Sequence, residues 1–499
     1  MRVQQMRSQL MHLQSMHVHV MCRRMASSPS SPARWDRSVW GLMAVLCGVL
    51  FLDGLDVSMV GMALPSIDAD LGLSTSDLQW IVSGYVLGYG GFLLLGGRAA
   101  DLLGRRRVLL GALAVFTVAS ALGGIVSDGT LLVATRFLKG AAAAFTAPAG
   151  LSIITTRFAV GPARNRALSI YTATGASGFS LGLVMGGLLT ELGWRWTFLL
   201  PVPFAVALLV AGRRLVPRDL PVGLVKRSFD LPGALTLTAG MLLLVHTIVQ
   251  APDRGWGSAA TVAAFAIAAA LLVAFVAIER RTAAPLVRLG ILRSAPLVRA
   301  NLGMATLFGA YVAFQFIVTL YLQALNGWSA VETALAFLPA GMLVALGSTR
   351  IGPLVDRYGT ARVIALGALS STLGYALMLR FDAAPAYGAV LLPTMLLIGV
   401  GFMLGFATMN MQATNGIADH EQGLASGLVQ TSFQVGGAIA LAVTTAIVTA
   451  RAGATTDVAT LIDAYRVALT VVAGVAAAGL VVALTGVVRV RSLLEPATE

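Results

Sequence analysis

The chain has 499 residues, of which 57% are hydrophobic and only 11% are charged, and its mean hydropathy is +0.83. Soluble domains carry about 25% charged residues, so this composition excludes a soluble enzyme and a disordered chain. With two cysteines, no disulfide framework can be predicted either. The composition indicates an all-α polytopic membrane protein. A formal net charge of +13 could suggest a nucleic-acid partner, but the placement of the charges argues against one.

Residues 1–38 are polar and basic, which predicts a disordered cytoplasmic tail. They lack the apolar stretch of a signal peptide, so a signal peptide is not expected. Its His12, His17, His19 and Cys22 leave a metal-binding tract as the alternative. Fourteen apolar runs follow, each long enough to cross a bilayer core of about 30 Å as a helix. They lie near 39–63, 79–99, 108–127, 131–155, 167–189, 196–212, 231–250, 259–278, 300–322, 331–349, 363–379, 386–411, 423–449 and 467–488. The runs are continuous rather than alternating, which disfavours strands.

The basic residues support this topology independently. With the N-terminus in the cytoplasm, 28 of the 35 Lys and Arg residues fall in predicted cytoplasmic segments and five in outer loops. Positive charge concentrates on the cytoplasmic side of membrane proteins. The sequence therefore predicts a multi-pass protein of the plasma membrane with both termini in the cytoplasm and no nucleic-acid partner. Lysine occurs only at Lys139 and Lys226, and this preference for arginine indicates a bacterial source.

An internal repeat divides the chain into two halves. Four positions recur at a constant offset of 255 residues, and each copy follows the second span of its half. The pairs are Gly97 and Gly352, Asp101 and Asp356, Gly104 and Gly359, and Arg107 and Arg362. The repeat predicts six-helix bundles over 39–212 and 300–488, a linker with two extra spans over 213–299, and a cytoplasmic tail over 489–499. Parallel halves around a central cavity are typical of transporters.

Several motifs resemble those of the major facilitator superfamily, in particular its fourteen-span drug–proton antiporter branch. The segment 97–107 resembles the superfamily's signature loop, with Ala99 and Leu102 in place of the usual Leu and Arg. The segments 55–65 and 194–203 resemble the first-helix motif and the sixth-helix entry of that branch. The resemblance implies the major facilitator fold: two six-helix bundles plus a two-helix insertion, with fourteen transmembrane helices.

Two acidic residues in the first span are candidates for proton coupling. Asp53 and Asp56 lie three residues apart and therefore on one face of a helix. Burial in the membrane and mutual repulsion both disfavour the ionised pair, so the pair is expected to exchange a proton. Arg136 in the fourth span lies at a depth within about 3 Å of Asp56, so a contact is feasible, and the resemblance assigns this arginine to proton transfer. The alternative is a permanent salt bridge. Lys139 stands where the family usually has Gln, which leaves its role open.

The repeated segments are interpreted as gates rather than binding sites. Carboxylates at helix ends can pair with nearby arginines or meet an opposing helix N-terminus, and such contacts would latch one side closed. A fixed charge cluster that sets the topology is the alternative. The predicted gating residues are Gly97, Asp101, Gly104, Arg105, Gly352, Asp356, Arg357 and Gly359.

Aromatic and uncharged polar side chains at helical spacing predict a broad, apolar binding pocket between the halves. Hydrogen bonding between helices is the alternative for each. The predicted substrate-binding residues are Tyr85, Tyr89, Tyr311, Gln315, Asn410, Gln430, Phe433 and Gln434. In the fifth span, Gly178, Gly182 and Gly186 are spaced by four and predict close packing against a neighbouring helix.

The function predicted from these features is proton-coupled export, by alternating access, of hydrophobic or cationic small molecules such as antibiotics and dyes. The partners are a small-molecule substrate, protons and the lipid bilayer, and no cofactor is expected. Neither lysine lies in a phosphate-binding loop, so a proton gradient is the simpler energy source than ATP. The nearer alternative is a dedicated exporter or importer of one metabolite in the same superfamily. A membrane enzyme or sensor is the remote alternative, because the sequence contains no H-E-x-x-H, G-x-S-x-G or dinucleotide-binding motif.

Overall fold

The computed structural model describes residues 35–158, 162–218, 230–282, 285, 289–347, 350–417, 422–453 and 457–494. His12, His17, His19 and Cys22, the residues of the alternative metal-binding tract, lie outside these residues. The helices are α1 (Arg37–Leu71), α2 (Thr75–Leu103), α3 (Arg105–Gly123), α4 (Gly129–Arg157), α5 (Pro162–Leu192), α6 (Trp196–Leu215), α7 (Leu231–Arg254), α8 (Ala259–Glu279), α9 (Ala295–Leu325), α10 (Ala330–Gly347), the short α11 (Ile351–Tyr358), α12 (Thr360–Met378), α13 (Tyr387–Thr414), α14 (Gln422–Ala452) and α15 (Val458–Leu494). No strand occurs in the described part of the chain, which confirms the all-α fold class.

Every predicted apolar run coincides with one of these helices. Among the described residues, twelve helices are long and apolar enough to cross a membrane. Of the fourteen long helices, only α2 and α7 are not among these twelve described spans. The described apolar core of α7 is the shorter helix Pro232–Ile248. The count of fourteen spans therefore stays a prediction. Helix α15 continues to Leu494, into the segment predicted as a C-terminal tail.

Polar caps explain where several of these helices begin. The carboxylate of Asp36 accepts a hydrogen bond of 2.8 Å from the backbone N–H of Val39, and Asp128 does the same for Leu131 at the start of α4. Ser74 and Asp77 form a reciprocal capping box at the start of α2. These caps satisfy backbone N–H groups that an α-helix leaves without a partner. They lie between the apolar runs, at the predicted edges of the membrane.

The two halves have matching helix packing. In the first half α1 packs against α5 and α2 against α4; in the second, α9 packs against α14 and α10 against α13. The halves meet where α5 contacts α10 and where α2 contacts α14. The inserted hairpin α7–α8 lies beside the second of these seams, because α7 contacts both α2 and α14.

Among the described residues, one large hydrophobic cluster joins the two halves at one end of the molecule. We call the end at which α1 begins and α15 ends the terminus side. At the opposite end one cluster joins both halves, including Ile67 and Leu132 of the first and Ile317 and Phe337 of the second. On the terminus side the first half and the second half have separate clusters. The halves are thus closed together at the opposite end and separate on the terminus side.

The two repeated segments adopt the same backbone geometry. Gly104 separates α2 from α3 with φ 98° and ψ 131°, and Gly359 separates α11 from α12 with φ 77° and ψ 155°. Only glycine adopts these angles without strain. The segments differ from the predicted loops, because Gly97 and Asp101 lie within α2, and Gly352 and Asp356 lie within α11. A helix that runs to the glycine satisfies its backbone groups internally, which a loop at the membrane edge would not.

Candidate functional site

A buried ion cluster lies in the first half, where α1 faces α4. One carboxylate oxygen of Asp56 accepts from Nη1 of Arg136 at 2.5 Å, and the other accepts from Nζ of Lys139. The Asp56 and Lys139 side chains are fully buried, and that of Arg136 is 2% exposed. Asp56 is therefore held by two cations at once. The predicted contact with Arg136 is present, whereas the contact with Lys139 was not predicted.

Arg136 is fixed by further contacts with α2. Its Nε donates to the backbone carbonyl of Ile81 at 3.1 Å, and its guanidinium carbon lies 4.7 Å from the ring centroid of Tyr85. A guanidinium over an aromatic face is attracted by the negative charge of the ring face. Tyr85, predicted to bind substrate, thus contacts the ion cluster, and its ring stacks on that of Tyr89 at 6.1 Å.

Lys139 links the cluster to α3 and α6. Its Nζ donates to Oγ of Ser120 at 2.9 Å, and the Ser120 hydroxyl donates in turn to the carbonyl of Phe198 at 2.8 Å. The same Nζ lies 4.9 Å and 5.1 Å from the ring centroids of Phe116 and Phe198. A signal for this role was available in the sequence, because Lys139 lies three residues after Arg136 and therefore on the same face of α4.

Asp53 has a different environment from Asp56. Its Oδ2 accepts a hydrogen bond of 2.8 Å from the hydroxyl of Thr146 in α4. Among the described residues, no Lys, Arg or His nitrogen lies within 4 Å of an Asp53 oxygen. The side chain is buried at 6% exposure. The two acidic residues of α1 are thus close in sequence but differ in their partners.

Small residues allow the helices of this half to approach closely enough to bury the cluster. A Cβ on Gly182 would lie 2.5 Å from the carbonyl oxygen of Leu55, and a Cβ on Gly186 would lie 2.7 Å from that of Met59. The predicted glycine face of α5 therefore packs directly on the α1 backbone, within one turn of Asp56. Backbones that approach this closely are typical of membrane helices with small residues at their interface.

The matching region of the second half is aromatic and contains no ionised side chain in its described contacts. Phe433 of α14 stacks on Phe308 of α9 with ring centroids 3.7 Å apart. Phe402 and Phe406 of α13 lie 6.4 Å and 5.5 Å from Phe433. Of these four rings only Phe433 belongs to the predicted substrate-binding set. Phe402 and Phe406 could not be assigned to this surface from sequence spacing, because the rotation of each helix about its axis was unknown.

The predicted polar residues lie around this aromatic cluster. Tyr311 lies 5.6 Å from Phe402 and 5.8 Å from Phe179 of α5, so it joins the two halves. The amide of Gln315 lies beside Gly61 of α1, and Gln434 packs against Gly90 of α2. Tyr311, Gln315 and Gln434 of the predicted set therefore lie at the surface between the halves.

Asn410 and Gln430 differ in how their amides are satisfied. Asn410 donates to the carbonyl of Phe406 in its own helix at 2.9 Å. The Gln430 Oε1 is buried and has no hydrogen-bond partner in the described structure. A buried acceptor without a partner is costly, so it is a candidate for contact with a bound molecule.

The predicted gating residues lie on the terminus side. Asp356 and Arg357 are exposed, and the Arg357 guanidinium lies over the ring of Tyr358 at 5.3 Å. Within the described residues no ion pair involves Asp356. Arg105 is partly buried at the start of α3, and the side chain of Asp101 lies outside the described residues. The gating role of these segments stays a prediction.

The comparison with known families agrees with this architecture. Residues 46–441 match the family model described as "Major Facilitator Superfamily". The chain belongs to this superfamily. This result confirms the family and the fold class expected from the motifs, and it shows that the chain is a member of a transporter superfamily.

Several proteins similar to this superfamily member are bacterial exporters or resistance proteins. The cephamycin export protein CmcT of Amycolatopsis lactamdurans is 39% identical over 406 residues, which cover 80% of this chain and 83% of the relative. The puromycin resistance protein pur8 of Streptomyces alboniger is 37% identical over 461 residues, covering 89% of each chain. The tetracenomycin C resistance and export protein of Streptomyces glaucescens is 32% identical, covering 86% of this chain and 79% of the relative.

Solved structures support the fold alone. The POT family transporter PepTSo aligns with a TM-score of 0.66 and 18% identity, over 93% of this chain and 99% of that one. A bacterial homologue of the lysosomal transporter Spinster, in an inward-facing conformation, aligns with a TM-score of 0.60 and 13% identity, over 90% and 97% of the two chains.

Proposed function

We propose that the protein exports hydrophobic small molecules, antibiotics among them, across the bacterial plasma membrane in exchange for protons. The observation that carries this proposal is the pair of buried acidic residues in α1: Asp53 and Asp56 both lie inside the bundle, and Asp56 is paired with Arg136. Ionisable side chains inside a membrane protein are costly and typically serve ion or substrate movement. A transporter that exchanges protons needs such a group.

The aromatic cluster of the second half supports an apolar cargo. Phe308, Phe402, Phe406 and Phe433 offer ring faces without a charged neighbour in the described contacts, and Gln430 offers a buried carbonyl oxygen that lacks a partner. Apolar pockets with a few polar groups bind drug-sized molecules. The names of the relatives give cephamycin as an exported compound, puromycin as a compound resisted, and tetracenomycin C as both. We infer that this chain likewise carries an antibiotic-sized molecule.

The transport cycle follows from the separation of the halves. The molecule binds from the terminus side, where the halves have separate cores, and rocking of the halves then exposes it at the opposite end. We assign the terminus side to the cytoplasm because most Lys and Arg residues fall there. Gly97, Asp101, Gly104 and Arg105 of the first repeat, and Gly352, Asp356, Arg357 and Gly359 of the second, would contact each other when this side closes. In this proposal the chain acts as a transporter and not as an enzyme.

The experiment that tests the proposal uses inside-out vesicles containing the full-length chain. Puromycin, ethidium and cefoxitin serve as probes because they differ in charge. An imposed proton gradient, acidic inside, should drive uptake of at least one probe, and a protonophore should abolish it. Vesicles from cells without the protein are the control. Uptake that ignores the gradient, or no uptake of any probe, would contradict the proposal. Uptake of one probe with strict selectivity would favour the dedicated exporter of a single compound.

A further inference from the structure

The two carboxyls of α1 differ in how easily each can accept a proton. Asp56 has both oxygens occupied by cationic donors, Arg136 and Lys139. A proton on Asp56 would leave two buried cations without their counter-ion, and breaking a buried pair in this way is strongly unfavourable. Asp53 has only a neutral hydroxyl from Thr146. A buried carboxylate without a cationic partner is costly in its ionised form, so neutralisation is favoured at Asp53.

The groups around Asp53 come from each helix packed against it. From its own helix Asp56 adds a negative charge, and from α4 Lys139 adds a positive one at longer range. From α2 the phenols of Tyr85 and Tyr89 lie close enough to interact electrostatically with Asp53, and from α5 so does that of Tyr171. Asp56 and Lys139 act on Asp53 in opposite directions, and the phenols are neutral. Among the described residues, no cation pairs with Asp53 as Arg136 and Lys139 pair with Asp56.

Thr146 can follow the protonation of Asp53. Its hydroxyl carries one hydrogen but has two acceptors in range, the Asp53 carboxylate at 2.8 Å and the carbonyl of Ala143 at 3.1 Å. When Asp53 is ionised, the hydroxyl donates to the carboxylate. When Asp53 is protonated, its O–H donates to the Thr146 oxygen, and the hydroxyl hydrogen turns to Ala143. Both states are satisfied without movement of a helix.

The position of Asp53 along α1 supports exchange with water on the terminus side. Asp53 lies three residues closer than Asp56 to the start of α1, which corresponds to about 4.5 Å along the helix. It is 6% exposed, whereas Asp56 is 0% exposed. The terminus side is also where the cores of the two halves are separate.

We propose that Asp53, with Thr146 as its positioning residue, carries the transported proton, and that Asp56 is a permanently ionised anchor between Arg136 and Lys139. This assignment rests on the proposed function. In each cycle one proton passes from water at the opposite end to the Asp53 carboxylate, which becomes the neutral acid. It then passes from Asp53 to water on the terminus side. Asp56 keeps its charge throughout and holds α1 against α4.

The test follows protonated carboxyl groups directly, by infrared difference spectra of the purified protein in lipid between about pH 5 and pH 9. The wild-type protein should show a protonated-carboxyl band that disappears on alkaline titration. Asp53→Asn should lose this band. The double variant Asp56→Asn with Lys139→Gln removes one negative and one positive charge together, and it should keep the band. Thr146→Val should move the midpoint of the titration, while Thr146→Ser, which retains the hydroxyl, should not.

A band that persists in Asp53→Asn, or that disappears in the double variant, would overturn the assignment. Transport separates this result from the proposed function. Asp53→Asn should lose gradient-driven uptake in inside-out vesicles but retain exchange of labelled for unlabelled probe, since exchange needs no net proton movement. If the wild-type protein shows no response to the gradient, the proposed function fails. If the wild type responds and Asp53→Asn responds equally, only the assignment of Asp53 fails.

Discussion

The two halves of the molecule share a helix arrangement but differ in what they bury between their central helices. The first half buries a carboxylate between a guanidinium and an ammonium group. The second half instead packs phenylalanine rings between α9, α13 and α14. Duplicated packing therefore does not require duplicated chemistry. Under the proposed function, the proton and the apolar cargo would be handled by different halves.

This separation has a physical advantage. A buried charge is stabilised by fixed partners in a tightly packed bundle, and the α5 glycines against α1 provide such packing. Aromatic rings bind apolar molecules of different shape without strict geometry. A single pocket that contained both the buried ion cluster and the aromatic rings would place the apolar cargo against buried charge. Tyr311 contacts Phe179 across the halves. This contact is one place at which the ion cluster and the aromatic cluster can influence each other.

The largest effect is expected from removal of the shared carboxylate of the first half. Asp56→Asn leaves Arg136 and Lys139 buried without their counter-ion, and breaking a buried pair costs about 3–5 kcal/mol. We expect a large loss of folded protein on size-exclusion chromatography and no measurable transport. The double variant with Lys139→Gln should recover much of the folded protein, because one cation is removed with the carboxylate. A single variant as stable as the wild type would show that the cluster does not support the first half.

The second-largest loss of stability is expected at the contact between α1 and α5, which encloses the ion cluster. In Gly182→Ala the new Cβ would lie 2.5 Å from the backbone oxygen of Leu55, and α1 and α5 would have to separate. Overpacking of this kind costs about 1–3 kcal/mol. The expected result is a lower melting temperature in detergent. Gly111→Ala in α3, where a Cβ would meet nothing within 4 Å, is the matched control and should change little. Equal effects of the two variants would contradict close packing at the cluster.

Much of the fold could be predicted because a bilayer imposes strong rules on sequence. Continuous apolar runs and the distribution of arginine predicted helices that the structure contains, and the offset of 255 residues predicted a repeat whose glycines share one backbone geometry. A contact between Asp56 and Arg136 could be recognised as feasible because the rise per residue fixes depth within a straight helix. These features depend on position along a helix, which a sequence determines directly.

Features that depend on rotation between helices could not be predicted. Phe402 and Phe406 lie beside Phe433 in the aromatic cluster. Ser120 accepts from Lys139, and Thr146 donates to Asp53. Each of these contacts joins two helices, and no spacing rule within one helix predicts it. Lys139 is an intermediate case. Its spacing from Arg136 placed it on the correct face, but its departure from the family pattern left its role open.

A moderate effect, on binding but not on proton exchange, is expected in the second half. Phe433→Ala removes a ring stacked at 3.7 Å on Phe308. Such pairs contribute about 0.5–1.5 kcal/mol beyond the area that they bury, so probes with large aromatic surfaces should bind about tenfold more weakly. Fluorescence titration of ethidium measures this change. Phe265→Ala, whose ring stacks on Trp256 in the inserted hairpin, is the control. If Phe433→Ala instead altered the carboxyl titration and left binding unchanged, the division of labour between the halves would be wrong.

The smallest effect is expected where the second half does carry a charge pair. Arg451 Nη1 lies 2.8 Å from Asp463 Oδ2, but the two side chains are 50% and 61% exposed. Water and salt screen exposed pairs, so most contribute little to stability. Arg451→Ala should change the folded fraction in a thermal challenge by less than about twofold. Asp56→Asn should reduce the same quantity far more, since its partners are buried. If Arg451→Ala lowered the folded fraction as much as Asp56→Asn does, the second half would also depend on charge pairing. The two halves would then differ only in where their charges are placed.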